Sequence, residues 1–188
     1  KNSLIESLFC CQKTKDAIQT NDIFAACWQK CASYYLADSL SSFNHSPSSP
    51  SHTLNSLRKF KKSSINNHIS GILETIGIER ATPTLLERML KSTIGFSDLV
   101  EKNNHSQLIQ QKYNYFLKNS MLSDCYFYLV YVNKENFIKI KDNLNREQDL
   151  IHILKIAFDI EADSNILQQY VETIQTSCND ILEVISKT

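Results

Sequence analysis

Apolar residues recur along most of this chain at spacings of three and four, the period of one face of a helix. Leu4, Ile5, Leu8 and Cys11 or Gln12, widened by Phe9, predict a first amphipathic helix over residues 3–19. Asn21 or Asp22 is placed to cap a second, which carries Ile23, Phe24, Cys27, Trp28, Cys31, Tyr34, Tyr35 and Leu40. So wide and aromatic a stripe predicts a central helix with more than one neighbour. The pattern resumes at Leu54, Leu57, Phe60, Ile65, Ile69, Ile72, Leu73 and Ile76, closing near Gly77; polar Ser63, Ser64, Asn66 and Asn67 allow two shorter helices instead.

Pro83 with Thr84 and Glu87 reads as a helix start with a capping box, Leu85, Leu86, Met89, Leu90 and Ile94 supply its face, and Gly95 lies beyond its end. Phe96, Leu99 and Val100 predict a brief turn before the polar break Asn103-Asn104-His105, after which Ser106 caps a helix carrying Leu108, Ile109, Tyr113, Phe116 and Leu117. Asn145 and Gln148 suggest a further capping box, opening a helix through Leu150, Ile151, Leu154 and Phe158. The stripe Ile166, Leu167, Tyr170, Val171, Ile174, Cys178, Ile181, Leu182 and Ile185 predicts a last helix of about five turns. It forms a wall of the core, partly bare if a partner helix docks there.

Cys125–Val132, the longest apolar run at eight residues, fits a buried strand or a helix capped by Asp124 that continues through Phe137 and Ile140. The helix is preferred, because a lone strand leaves its backbone groups unpaired. Only three glycines and three prolines punctuate the 188 residues, so the chain offers few of the turns that sheets and phosphate-binding loops require. The expected fold is all-α: a compact bundle or orthogonal array of about seven to nine helices with one long Ser/Pro-rich loop. That loop, around Ser41–Thr53 with Pro47 and Pro50, cannot build a core. It separates an N-terminal helical pair (1–43) from a main helical domain (54–188) through a linker at 44–53, the two packing as one domain. No repeat of fixed period appears, which argues against a solenoid.

Composition adds a charge pattern. The 20 basic and 20 acidic side chains cancel, so no nucleic-acid partner is expected, yet residues 1–94 carry 11 Lys/Arg against 7 Asp/Glu and residues 95–188 carry 9 against 13. The eight-residue apolar run falls well short of the roughly 20 needed to cross a bilayer. A core of this length buries roughly 70% of the unfolded surface without staples, and no basic-then-apolar leader precedes it. The six cysteines are therefore read as reduced thiols of a cytoplasmic protein.

Catalytic punctuation is missing: no Gly-x-Ser-x-Gly, Walker loop, Gly-x-Gly-x-x-Gly or His-Glu-x-x-His occurs. Cys27 and Cys31 share a helix face but lack two further ligands, so no metal site and no cofactor is expected. Of Cys10 and Cys11, which point in different directions, one is expected inside and one outside. Cys125 with His152 is the Cys–His pair weighed for a cryptic cysteine enzyme, and His45 and His52 are read as solvated. Asn44-His45-Ser46 and Asn104-His105-Ser106 match the glycosylation tripeptide, a pattern without meaning in a cytosolic protein.

Two surfaces remain. Arg58, Lys59, Lys61 and Lys62 around Phe60 form the one dense basic cluster, suited to the phosphates of an anionic membrane or nucleic acid, with Phe60 inserting or stacking, or simply to solvent. Tyr113, Tyr115, Tyr126, Tyr128 and Tyr131 fall within 19 residues, and tyrosine suits partly wet interfaces. Tyr126, Tyr128 and Tyr131, with neighbours on the last helix, are the expected protein-binding residues. Together these features point to a non-enzymatic, chaperone-like adaptor that binds another protein in a hetero-oligomer. An anionic-lipid domain of phosphoinositide type making weak membrane contact is the alternative. The Asn, Ser, Ile, Lys and Gln usage fits an intracellular bacterium, where a secretion adaptor or virulence effector domain is the natural setting.

Overall fold

The computed structural model of the chain describes residues 2–45, 49–101 and 105–187, apart from the side chain of Asn145. Pro47, the Asn103-Asn104 break, and the asparagine of the Asn145–Gln148 box lie outside the described residues. With so few backbone breakers, the chain satisfies its peptide groups within helices: nine α-helices and no strand are found among the described residues. They are α1 (Asn2–Gln19), α2 (Ala25–Phe43), α3 (Thr53–Lys59), α4 (Ile69–Ile76), α5 (Pro83–Val100), α6 (His105–Lys118), α7 (Leu122–Ile140), α8 (Ile151–Ala157) and α9 (Ser164–Ser186). They form two compact units, one of residues 1–77 with 161–188 and one of residues 78–160.

In the first unit α2 is the central element, buried around almost its whole circumference and packed by α1, α3, α4 and α9. Two of its polar side chains satisfy the carbonyls that α4 leaves open at its C-terminus. Lys30 Nζ donates to Ile76 O at 2.5 Å and Gln29 Nε2 donates to Thr75 O at 2.9 Å. Gly77 then ends α4 in the left-handed region at φ 82°, as its position after the apolar stripe implied.

The buried face of α1 differs from the expected one. Leu4, Ser7, Cys10, Cys11, Thr14 and Ala17 turn inward, whereas Ile5 is 63% exposed. Small side chains let α1 approach α2 closely, and the Ser7 hydroxyl donates to Ala32 O at 2.8 Å. Both Cys10 and Cys11 are therefore buried, where one was expected outside. Phe9 stays near the surface, its ring edge-on to Trp28 at 6.1 Å.

In the second unit α7 is central and packs on α5, α6 and α8. The run 125–132 is helical, as the absence of a pairing strand required, although the helix begins at Leu122 rather than at an Asp124 cap. Asn133 Nδ2 ties α7 to both flanking helices, donating to Thr93 Oγ1 at 3.0 Å and to Ala157 O at 2.7 Å. Gly95 does not end α5, which runs on to Val100 and absorbs the expected turn at Phe96–Val100. Thr82, not Thr84, caps that helix: its Oγ1 accepts from Leu85 N, with Pro83 in the first turn. Before α8 the chain forms 3-10 turns at Lys141–Arg146 and Gln148–Leu150 in place of the expected helix start.

Candidate functional site

Helices α5, α6 and α7 leave a groove of about 260 Å3 between them, open to solvent, on the second unit. One ridge of α7 supplies Tyr128, Tyr131, Val132, Glu135, Asn136 and Lys139, which fall at i, i+3, i+4, i+7, i+8 and i+11 on one helix face. The last turn of α5 and its cap add Ser97 and Glu101, and the first turns of α6 add His105, Leu108 and Ile109. Ser97, Ile109, Tyr128 and Asn136 are buried and make the floor. Leu108, half exposed, stands with Tyr131 and Val132 as a wall.

The polar members are held in place. Asn136 Nδ2 donates to Ser97 Oγ at 2.7 Å. Glu101 ends α5 with an extended backbone, φ −127° and ψ 121°, which brings its carboxylate to the rim. One of its oxygens meets His105 Nδ1 at 2.6 Å and the other accepts from Lys139 Nζ. Beside them, buried Lys134 pairs with Glu135 at 2.6 Å and lies 5.3 Å from the centre of the Tyr131 ring. Burial pushes the Tyr128 hydroxyl up to about 12, helped by its neighbours Tyr131 and Cys125, so it stays a neutral donor at physiological pH.

A histidine oriented by a carboxylate is two-thirds of a nucleophile-activating arrangement. No described hydroxyl or thiol bonds to His105, however, and the Ser97 oxygen receives Asn136 instead. The cysteines offer no nucleophile either. All six are buried free thiols, and burial pushes Cys178 to about 11, Cys125 to about 12, and Cys11 and Cys27 higher still. Cys125 is closed off within α7 while His152 is exposed on α8, so the pair weighed from sequence is not formed. Among the described residues no three His, Cys, Asp or Glu side chains gather as metal ligands, and no helix is long and apolar enough to cross a membrane.

Of the three tyrosines expected at a binding surface, the structure brings Tyr128 and Tyr131 together and removes Tyr126. Tyr126 is wholly buried, and its hydroxyl donates to Asp159 Oδ2 at 2.9 Å. Arg80 Nη2 donates to the other Asp159 oxygen at 2.6 Å. Tyr126 thus lies in the core rather than at the surface. Ser97, Glu101, His105, Asn136 and Lys139 escaped sequence reasoning, although the four-residue spacings of Ser97 with Glu101 and Glu101 with His105 were there to be seen.

Comparison with protein-family models, with curated proteins and with solved structures finds no match to this chain.

The first unit carries the other predicted cluster and two further grooves. Arg58 and Lys59 end α3, with Lys61 and Lys62 just beyond; all four are exposed and Phe60 is half-buried. One groove, apolar and about 290 Å3, lies between Leu4, Ile5, Leu182 and Ile185. The other, about 220 Å3, is lined by Lys15, Ile18, Gln19, Gln168 and Glu172. Leu182, placed in the inward stripe of α9 by its spacing, is 41% exposed. Asn44, one of the tripeptide asparagines, has its amide committed to Leu40 O and Asn66 Oδ1.

Proposed function

We propose that the protein is a non-enzymatic, adaptor-like module that holds another protein through the α5–α6–α7 groove. The observation that carries this reading is the pairing, in one solvent-open groove, of an aromatic and aliphatic wall with a fixed charged rim. Tyr128, Tyr131, Leu108 and Val132 give apolar contact at little entropic cost, and the Glu101–His105–Lys139 cluster orients whatever lies across them. The groove's small size and its opening to solvent favour a peptide over an enclosed small molecule. Sites for drug-sized ligands and cofactors enclose about 300–1,000 Å3. At about 260 Å3 this groove suits one or two anchoring side chains of a longer segment.

A buried polar floor formed by Asn136 and Ser97 also favours a partner that brings a hydrogen-bonding group beside its apolar anchor. The composition supports a cytoplasmic setting of the secretion-adaptor or effector kind in an intracellular bacterium. The deeply buried, protonated thiols give the cysteine-enzyme alternative no support.

Affinity capture from the native cell tests the reading with three variants. Leu108→Asp and Tyr131→Ala alter the groove, while Tyr115→Ala removes an aromatic that is 50% exposed outside it. Wild type and Tyr115→Ala should retain the same protein at fixed stoichiometry, and both groove variants should lose it with unchanged helical circular dichroism. Retention by Leu108→Asp contradicts the proposal.

A further inference from the structure

We infer that the segment Arg58–Lys62 of the first unit is a docking surface for an anionic membrane, independent of the groove in the second unit. Lys59, Lys61 and Lys62 are exposed, and none has an ion-pair partner among the described residues. Their concentration is local: residues 1–77 and 161–188 together hold nine Lys/Arg and ten Asp/Glu, and four of those nine cations lie within five positions.

The segment is also held in shape. Asn44, the residue following α2, and Asn66 exchange reciprocal amide hydrogen bonds, Asn44 Nδ2 donating to Asn66 Oδ1 at 2.8 Å and Asn66 Nδ2 to Asn44 Oδ1 at 3.0 Å. Asn66 Nδ2 also donates to Lys61 O at 2.8 Å, and Asn66 N donates to Ser63 Oγ. The backbone that carries the lysines is thus tied to the end of α2. Phe60, with an extended backbone at φ −66° and ψ 136°, sits half-buried among them.

The aromatic content bears on the choice of partner. A single aromatic among the cations gives no row of platforms for stacked bases, as a single-stranded nucleic acid requires. A bilayer with anionic headgroups suits both the cations and Phe60: its surface potential attracts clustered Lys and Arg, and an apolar ring can enter the boundary between headgroups and acyl chains.

Vesicle flotation of the whole chain tests this, with phosphatidylcholine vesicles alone and with 30% phosphatidylserine. Wild type should float only with the anionic vesicles and be released in 1 M salt, where the screening length falls to about 3 Å. Replacing Arg58, Lys59, Lys61 and Lys62 by Ser, with Phe60 kept, should weaken binding by about fivefold per cation, several hundredfold in all. A matched variant that replaces exposed Arg88, Lys118, Arg146 and Lys155 by Ser has the same net charge and should lose less than fivefold. The salt release of wild type reads the charge dependence even if a variant folds poorly. Four outcomes overturn the proposal: no flotation of wild type, equal binding to neutral vesicles, equal loss in both quadruple variants, or tighter binding of single-stranded RNA than of the anionic vesicles.

Discussion

Tyr126 and Asp159, 33 residues apart, are joined by a 2.9 Å hydrogen bond from the tyrosine hydroxyl to a buried carboxylate oxygen. Arg80 holds the second oxygen, so the start of the second unit, its central helix and the end of α8 converge on one side chain. Asp159 accepts this role at φ 48°, a left-handed conformation that aspartate tolerates better than most residues. The bond explains why Tyr126 departs from the other two tyrosines. Positions 128 and 131 lie three apart and share a face of α7, whereas 126 and 128 lie two apart and cannot.

Tyr126→Phe should therefore cost stability and spare the groove. Hydrogen bonds to charged groups contribute roughly 1.5–3 kcal/mol, and Asp159 keeps its arginine, so a loss of about 1–2 kcal/mol is expected. Urea unfolding should show a lower midpoint at unchanged slope, with partner capture intact. Unchanged stability would mean that the bond contributes nothing net.

The thiols make a second prediction, in reactivity and in pH dependence. At pH 7.5 none of the six cysteines should react quickly with a thiol reagent in the native protein, and all six should react in denaturant. Burial raises the folded-state values of Cys178, Cys125 and Tyr128 to about 11, 12 and 12, above their unfolded values, because burial disfavours the anion. Their stabilisation is complete below the unfolded values and is lost as pH rises through the folded ones. From these groups the urea midpoint should be flat to about pH 8 and fall steadily towards pH 12. One thiol reacting at the rate of a free cysteine would contradict this picture of α1, α2, α7 and α9.

Two glycines should respond with opposite sign. Gly77→Ala forces a side chain into φ 82° and should destabilise by about 1 kcal/mol. Gly95 lies within α5, where an added methyl group would meet nothing within 4 Å. Gly95→Ala should stabilise by about 0.5–1 kcal/mol through helix propensity. Thermal melts of the two variants should move in opposite directions.

Asn66→Ala removes both halves of the Asn44–Asn66 exchange together with the bond to Lys61 O. Limited trypsin digestion should then cut at Arg58–Lys62 several times faster than in wild type, because cleavage requires the backbone there to open. Equal rates would show that the exchange does not hold the segment.

Much of the helical order was readable in the sequence because it depends on local chemistry. Scarce glycine and proline excluded a sheet, Gly77 announced the end of α4, and a strand at 125–132 had nothing to pair with. Where the reading failed, tertiary contact had overridden the local pattern. Gly95 looked like a stop, yet the flanking stripes of Ile94 and Phe96 belong to one continuous helix. The face of α1 was set by how closely Ser7 and Ala32 approach, not by where Ile5 and Phe9 fall. The groove was least visible. Glu101 and Lys139 are 38 residues apart, and only the packing of α5 against α7 makes them partners.

Site-specific crosslinking in the native cell tests the recognition groove most directly. A diazirine amino acid placed at position 108, in the groove wall, and separately at position 115, outside it, is photolysed and the adducts are resolved by mass. Position 108 should capture one protein as a discrete adduct that position 115 does not form. No adduct from position 108, or the same adduct from both positions, contradicts the claim that this groove holds a partner.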